Sequence, residues 1–421
     1  MRYLLLGLAV IAACFVFSAP AWADEEGDNR GVTVETGTLR IGGTIKTGFN
    51  YEIGGQGYDA AHNQAVDLPS DYQFVVTTAQ LDFFGAIVED HISYRTEIAY
   101  RQLSLGSHPE IAAIVLNELD LGFDYIPFCG IHFGLLKPNF SYFVNAPERD
   151  FILIDLPLMN QWIVNRDRQV GGDLRVNTPY LDVNLGLFNG RLYTPAGNPR
   201  GEFLPAGAAN PVGNPGWSDQ NNGKDIYVNL VGKPPVDGLR IRAGLWYGTP
   251  LDFFKVSGNR QTNEHDARVY IADAGVSFLS PFGLTIIGEY MQAFYVWDAK
   301  LPTGQPRGER YTERVESMSY YAMAGYNFDP IFNVPIELLA RYDYYNPDMQ
   351  NNNNHHPGSA DDNLTDLTGG LNYYILKQNA KLALNYIHHY QAWRHVLNLA
   401  GTGRQTGIRN DELLFETQLA F

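Results

Sequence analysis

A chain of 421 residues has room for two or three ordinary domains or for one large barrel. Its 30 Lys and Arg stand against 46 Asp and Glu, a net charge of −16, which argues against nucleic acid as a partner and against a broadly anion-attracting surface. Mean hydropathy is −0.21, and beyond residue 23 no run approaches the ~18 apolar residues of a membrane-spanning helix, so a bundle of such helices is not indicated.

The N-terminus reads as an export signal. Arg2 supplies a positive start, residues 4–17 an apolar stretch, and Ala21-Trp22-Ala23 a small-x-small cleavage site before Asp24. A rival reading is lipoprotein processing at Cys14, since Ile11-Ala12-Ala13-Cys14 resembles a lipobox, but the apolar stretch continues past it to the better-placed Ala23. Cleavage after Ala23 leaves Cys129 as the single cysteine, which excludes an internal disulfide, a paired-cysteine metal site and C-x-x-C-H haem attachment. Residues 24–37 read as a short, acidic, disordered leader, and 38–421 as one barrel.

From residue 38 the apolar side chains fall on every second position. Leu39, Ile41, Ile45, Phe49, Tyr51 and Ile53 share one face, and Arg40, Thr44, Lys46, Asn50 and Glu52 the other. The same period recurs around 79–88, 92–102, 115–126, 131–137, 168–177, 181–189, 224–232, 239–247, 268–278, 284–296, 315–328, 336–345, 364–374, 380–390 and 411–421, which makes about sixteen strands. Short links such as Glu89–His91, Thr178–Tyr180 and Lys233–Gly238 alternate with long polar ones such as 54–72, 191–223, 298–314 and 391–408. Tight turns at one end and long loops at the other describe an all-β, antiparallel up-and-down transmembrane barrel, which must close because lipid satisfies no open sheet edge. The aromatic content of 13%, with 26 Tyr, suits membrane interfaces. A soluble β-sandwich would not need so many tyrosines at strand ends. The final strand, ending in Phe421, closes the sheet against the first, and its terminal aromatic resembles the signal by which the barrel-assembly machinery recognises its clients.

Sixteen strands enclose an aqueous channel. The faces assigned inward carry Arg40, Lys46, Arg95, Glu97, Arg101, Glu118, Asp120, Arg240, Arg242, Glu289, Arg341, Asp343 and Lys381, expected to line the pore because an ionisable group facing lipid costs roughly 2–4 kcal/mol at the midplane. A lumen salt bridge without a role in selection is the plainer reading for any one of them. The link 138–167 is far more apolar than the others and unsuited to open water. Folded against the inner wall it buries Phe151, Ile152, Leu153, Leu156 and Trp162 and offers Glu148, Arg149, Asp150, Asp155 and Arg166 to the channel. A place on the rim or at a subunit interface is the alternative.

IHFGLLKPNF (131–140), NAPERDF (145–151), NRDRQVGGDLR (165–175) and NLGLFNGR (184–191), with LTIIGEY (284–290), IELLARYDYYNPD (336–348) and LTGGLNYYILKQNAKLALNYIHHY (367–390), resemble in order and spacing the phosphate-selective porin O and P family. The resemblance implies a bacterial outer-membrane porin of sixteen strands, commonly a homotrimer, with a long loop constricting the lumen. Its partners would be outer-membrane lipid and lipopolysaccharide, and its cargo small hydrophilic solutes or ions. Phosphate selection would follow from the family, but 138–167 holds two arginines against four acids and shows no basic ladder. Passive diffusion through a general or weakly selective pore is therefore the expected function.

The other expectation is a sheath around a haem-bearing partner such as a cytochrome in trans-outer-membrane electron transfer, since the chain has no haem motif of its own. No cofactor is expected. Catalysis is not indicated: His388 and His389 have no identifiable serine partner. The run NPDMQNNNNHHPGSADDN (346–363) offers His355, His356, Asp361 and Asp362 as metal ligands, but it reads as a solvated loop.

Overall fold

The computed structural model describes residues 31–34, 37–54, 56–59, 64–67, 70–103, 111–164, 168–189, 224–248, 268–300, 310–346, 349, 363–391, 406–407 and 411–421. Sixteen antiparallel strands form the wall: β1 (Gly37–Ile53), β2 (Asp71–Val88), β3 (Ile92–Leu103), β4 (Ile111–Ile126), β5 (Cys129–Leu136), β6 (Gln169–Asn177), β7 (Leu181–Phe188), β8 (Asp225–Gly232), β9 (Leu239–Gly248), β10 (Arg268–Leu279), β11 (Leu284–Lys300), β12 (Arg310–Asn327), β13 (Ile336–Asn346), β14 (Leu364–Leu376), β15 (Ala380–Gln391) and β16 (Asp411–Ala420). Each pairs with its sequence neighbour, and β1 pairs with both β2 and β16, so the sheet is closed and has no edge to expose. Closure runs to the last residue: Phe421 N–H donates to the Gly43 carbonyl at 3.1 Å and Gly43 N–H returns to the Phe421 carbonyl at 3.0 Å.

The alternation sorts the two faces as polarity demands. On β13, Glu337, Leu339, Arg341, Asp343 and Tyr345 are buried toward the lumen, while Leu338 and Tyr342 are exposed outside; on β16, Glu416 and Gln418 turn inward and Phe415 and Leu419 outward. The outward row of leucine, isoleucine, phenylalanine and tyrosine is the belt that lipid covers. At the tight-turn end, Gly238 (φ 79°) and Gly283 (φ 96°) adopt left-handed backbone, and a side chain at either would meet the Leu279 or Asn327 carbonyl at about 2 Å.

Three features depart from the period-two reading. First, β2 begins at Asp71, eight residues before its expected start, because a bulge at Thr77 interrupts the alternation: Tyr72, Phe74 and Val76 face outward below it, while above it the outward set shifts to odd positions such as Leu81 and Phe83. Second, Gly31–Val34, within the segment expected to be a disordered leader, pairs back along Gly37–Arg40, on the stretch of β1 that β16 does not reach. The β-branched Val32, Thr33 and Val34 suit that edge position. Third, the inner wall is not uniformly wet. Tyr227, Trp246, Ile271, Ile287, Met291, Tyr321, Met323 and Leu339 point inward from β8–β13 and are buried. Water does not reach them because a segment of the chain lies on top.

Candidate functional site: the lumen and its inserted loop

Strands β5 and β6 have only 8 and 9 residues, half the length of β2 with 18. The chain therefore leaves the wall early, and residues 137–164 turn into the barrel. Two short helices, α1 (Tyr142–Asn145) and α2 (Leu158–Trp162), punctuate them. Phe140, Phe143, Val144, Phe151, Leu153, Leu158, Met159, Ile163 and Val164 are buried in one cluster with the apolar inner residues of β8–β13. Phe140 packs edge-on to Trp246 with ring centroids 5.5 Å apart, and Phe143 does the same to Tyr321 at 5.6 Å. Two glycines on the inner wall make the approach this close. A Cβ at Gly244 would lie 2.6 Å from the Phe140 ring, and one at Gly370 would lie 2.5 Å from Leu153 Cδ2.

Polar side chains of four neighbouring strands then tie the stretch 149–156 to the wall. Gln418 of β16 donates to the Arg149 carbonyl at 3.0 Å, Lys381 of β15 to the Phe151 carbonyl and at 3.3 Å to that of Arg149, and Asn372 of β14 to the Ile152 carbonyl at 2.7 Å. Asn385, with its amide turned to satisfy both of its groups, accepts Ile154 N–H at 2.8 Å. Arg341 of β13 reaches the Asp155 and Leu156 carbonyls at 2.7 and 3.3 Å while its Nε holds Asp343 at 2.5 Å, and Asp343 accepts Leu158 N–H at 3.3 Å where α2 begins. A second anchor holds the start of α1. Glu289 accepts from Ser141 Oγ at 3.1 Å, Tyr142 N–H at 2.9 Å and Tyr321 O–H at 3.1 Å, with Arg242 Nη1 4.0 Å away. Backbone that crosses a pore without a sheet partner must find side-chain partners instead, and here it does.

The expected pore-lining residues therefore divide into two groups. Glu289, Arg341, Asp343 and Lys381 point inward but lie under the loop, each 4% exposed or less. Lys46 is also covered: its ammonium sits 3.4 Å from Glu416 and 5.5 Å from the centre of the Phe151 ring. Arg40, Arg95, Glu97, Glu118 and Asp120 occupy the wall of β1–β4, away from the main apolar seat of the loop, with Glu97 and Glu118 buried. Arg95 is 3.0 Å from Asp82, 3.6 Å from Glu97 and 3.8 Å from Glu118. Asp120 receives His132 Nδ1 at 2.9 Å and Arg175 at 3.2 Å. Arg240 is exposed, and with Arg242, Asn139, Tyr142 and Asp182 it surrounds a lumen recess of about 220 Å³. The side chain of Arg101 lies outside the described residues.

On the loop, Arg149 and Asp150 face open space as an ion pair 3.6 Å apart, with side chains 49% and 43% exposed. Asp155 accepts Gln161 Nε2 at 2.9 Å. Burial pushes its carboxyl up to about 6, with Arg341 opposing the rise and Asp343, Asp366 and Glu412 adding to it. Phe151 and Leu153 are buried as expected, and Ile152 and Leu156 are partly so. The side chains of Glu148, Trp162 and Arg166 lie outside the described residues, as do His355, His356, Asp361 and Asp362. Sequence reading missed Arg168, which returns from the loop to place Nη2 2.9 Å from Glu97 and Nε 3.7 Å from Glu118. It also missed His132 and Asp173. Arg168 lies in the strand expected over 168–177 but has the opposite parity to the inward Asp173 and Arg175; His132 and Asp173 are plain inward positions of β5 and β6.

Residues 255–398 match the family model described as "Phosphate-selective porin O and P". The motifs at 131–191 that resemble that family fall outside the matched residues. No curated protein matches the chain in sequence. Among solved structures, the anion-selective porin from Comamonas acidovorans aligns with TM-score 0.56 at 12% identity, covering 91% of this chain and all of that one. The outer membrane channel DcaP of Acinetobacter baumannii aligns with TM-score 0.58 at 10% identity, covering 93% and 99%. Salmonella typhi OmpF aligns with TM-score 0.57 at 12% identity, covering 93% and 100%. At these identities the alignments establish the architecture. The chain thus shares with these outer-membrane channels a closed sixteen-stranded barrel with a loop in its lumen, and residues 255–398 carry the pattern of the phosphate-selective porin O and P model.

Proposed function

We propose that the chain forms a water-filled channel for passive diffusion of small hydrophilic solutes or ions, constricted between the loop 138–167 and the wall of β1–β4. One observation carries this reading: the loop is fastened chiefly to the inner face of β8–β16, and on the wall of β1–β3 Arg40, Phe84 and Arg95 keep part of their surface open to the lumen. A sheath around a cytochrome needs an open bore, and a loop fixed across the lumen removes it.

Along this wall three arginines are interleaved with five carboxylates. Arg95 and Arg168 face Asp82, Glu97 and Glu118, and Arg175 with His132 faces Asp120 and Asp173. Such a wall supports weak selectivity rather than a strong preference for phosphate. The proposal includes export through a signal at 1–23, recognition of the last strand by the assembly machinery, and a homotrimer in lipid and lipopolysaccharide. That one of the solved relatives, OmpT of Vibrio cholerae, is described in a trimer form supports the last of these.

The test is the reversal potential of purified protein in a planar bilayer under a KCl gradient, with and without added phosphate. A small reversal potential with no phosphate block supports the general pore. A shift to the chloride potential with phosphate block would make the channel phosphate-selective, and no conductance at all would overturn the channel reading.

A further inference from the structure

On the free wall, register places Arg40 of β1 opposite Phe84 of β2, and Phe84 opposite Arg95 of β3. Phe84 shares the inward parity of Asp82, which is buried against Arg95, so its ring faces the lumen. It is nevertheless 37% exposed. The large apolar side chains that point inward from β8–β13 are covered by the loop, whereas this one keeps part of its ring open among charged groups. An apolar ring presented to water costs free energy that a structural role would have to recover by burial, and over a third of this residue's surface stays uncovered. Arg40 beside it makes no ion pair among the described residues. The Arg95 side chain is 41% exposed despite its three carboxylate neighbours. Arg40, Phe84 and Arg95, together with Thr38, Ser93 and Asp120, line a recess of about 340 Å³.

We propose that this recess is a binding subsite for small aromatic carboxylates passing through the channel. The assignment rests on the channel reading and names a solute class for it. A carboxylate accepts two parallel N–H bonds from the guanidinium of Arg40, which no carboxylate among the described residues claims. The planar ring attached to it covers Phe84 and stacks on it. Inorganic phosphate has the charge but no apolar surface, and its second negative charge would approach Asp120. Aliphatic carboxylates such as acetate satisfy Arg40 and leave Phe84 uncovered. Ring and guanidinium are thus both required, and their adjacency in register supplies both within one solute.

Single-channel current in KCl, titrated with benzoate, acetate and phosphate, tests this. Benzoate is expected to reduce the wild-type current at about tenfold lower concentration than acetate, the size of one aromatic contact. In Phe84→Ser the two half-blocking concentrations should converge on the acetate value, and in Arg40→Gln both should rise relative to each variant's own unblocked KCl current. Benzoate acting no better than acetate on the wild type overturns the subsite, as does phosphate blocking at the benzoate concentration or Phe84→Ser retaining the preference. These outcomes are read from a conducting channel. A wild type that conducts no KCl overturns the channel reading itself and removes the subsite with it.

Discussion

Lys381 and Arg341 face the lumen with their donors committed to the loop, and removing them should widen the pore rather than change its charge preference. Lys381→Met keeps the aliphatic stem that packs beneath the loop and deletes the contacts to the Arg149 and Phe151 carbonyls. Hydrogen bonds to charged donors contribute ~1.5–3 kcal/mol each, and relief of a buried ammonium offsets part of that, leaving a loosening of about 2–4 kcal/mol. Arg341→Met removes the bonds to the Asp155 and Leu156 carbonyls and leaves Asp343 buried without its guanidinium, a cost of about 3–5 kcal/mol. Gln418, Asn372 and the Glu289 anchor remain in both variants, so the loop should detach locally and not leave the barrel. A shift of about 3 kcal/mol changes the detached fraction by roughly two orders of magnitude. Single-channel recordings should therefore show larger conductance or added transitions to a larger level, with the reversal potential unchanged. Lys381→Arg, which keeps a donor, should restore the wild-type level. Variants that conduct as the wild type does, at the same noise, would refute the assignment of these two residues to holding the constriction.

Gly370→Leu should produce the same enlargement by a steric route, since the Cβ alone lies 2.5 Å from Leu153; the readout is again single-channel conductance. Asp155 should make stability depend on pH in an unusual sense. Its folded-state value of about 6 lies above the ordinary carboxylate range, so its destabilising contribution is absent below pH ~4 and complete above pH ~6. Wild-type protein should gain heat resistance relative to Asp155→Asn as pH falls from 6 to 4, and equal melting midpoints of the two across that window would refute this. On the outer face, Leu371→Arg should weaken folding into liposomes by about 2–4 kcal/mol in a urea titration if the residue lies near the bilayer midplane.

The wall was legible in the sequence because lipid outside and water or polar groups inside impose a period of two on every strand, and because turns and long loops alternate by end. What the period could not show is where it breaks. At Thr77 and Asn117 an extra residue enters the strand, and each places a polar side chain on the lumen side: Thr77 donates to Glu416 at 2.7 Å and Asn117 to Glu97. A bulge leaves no signature in polarity when both flanking registers carry apolar residues outward, so the start of β2 was hidden while its second half was plain. The loop's placement was legible from its apolar content, but its course was not, because the residues that receive it are ordinary inward residues of β8–β16.

Counting inward charges along the strands overstates how many of them a solute meets. Lys46, Arg341 and Lys381 all belong to the inward set by parity, yet each is turned to Glu416 or to loop carbonyls and shielded from the water path. A charge matters to a permeating ion through its exposure and its residual unpaired field, and low-dielectric surroundings do not transmit a cation already matched by a carboxylate a few ångströms away. By that criterion the positive potential of the pore comes mainly from Arg40 and Arg240, with Arg95 contributing in part. Neutralising Arg40 should move the reversal potential toward potassium more than neutralising Arg341 and Lys381 together, although the latter removes twice the formal charge. The opposite ranking would mean that the buried pair is felt at the constriction and that the loop does not shield it.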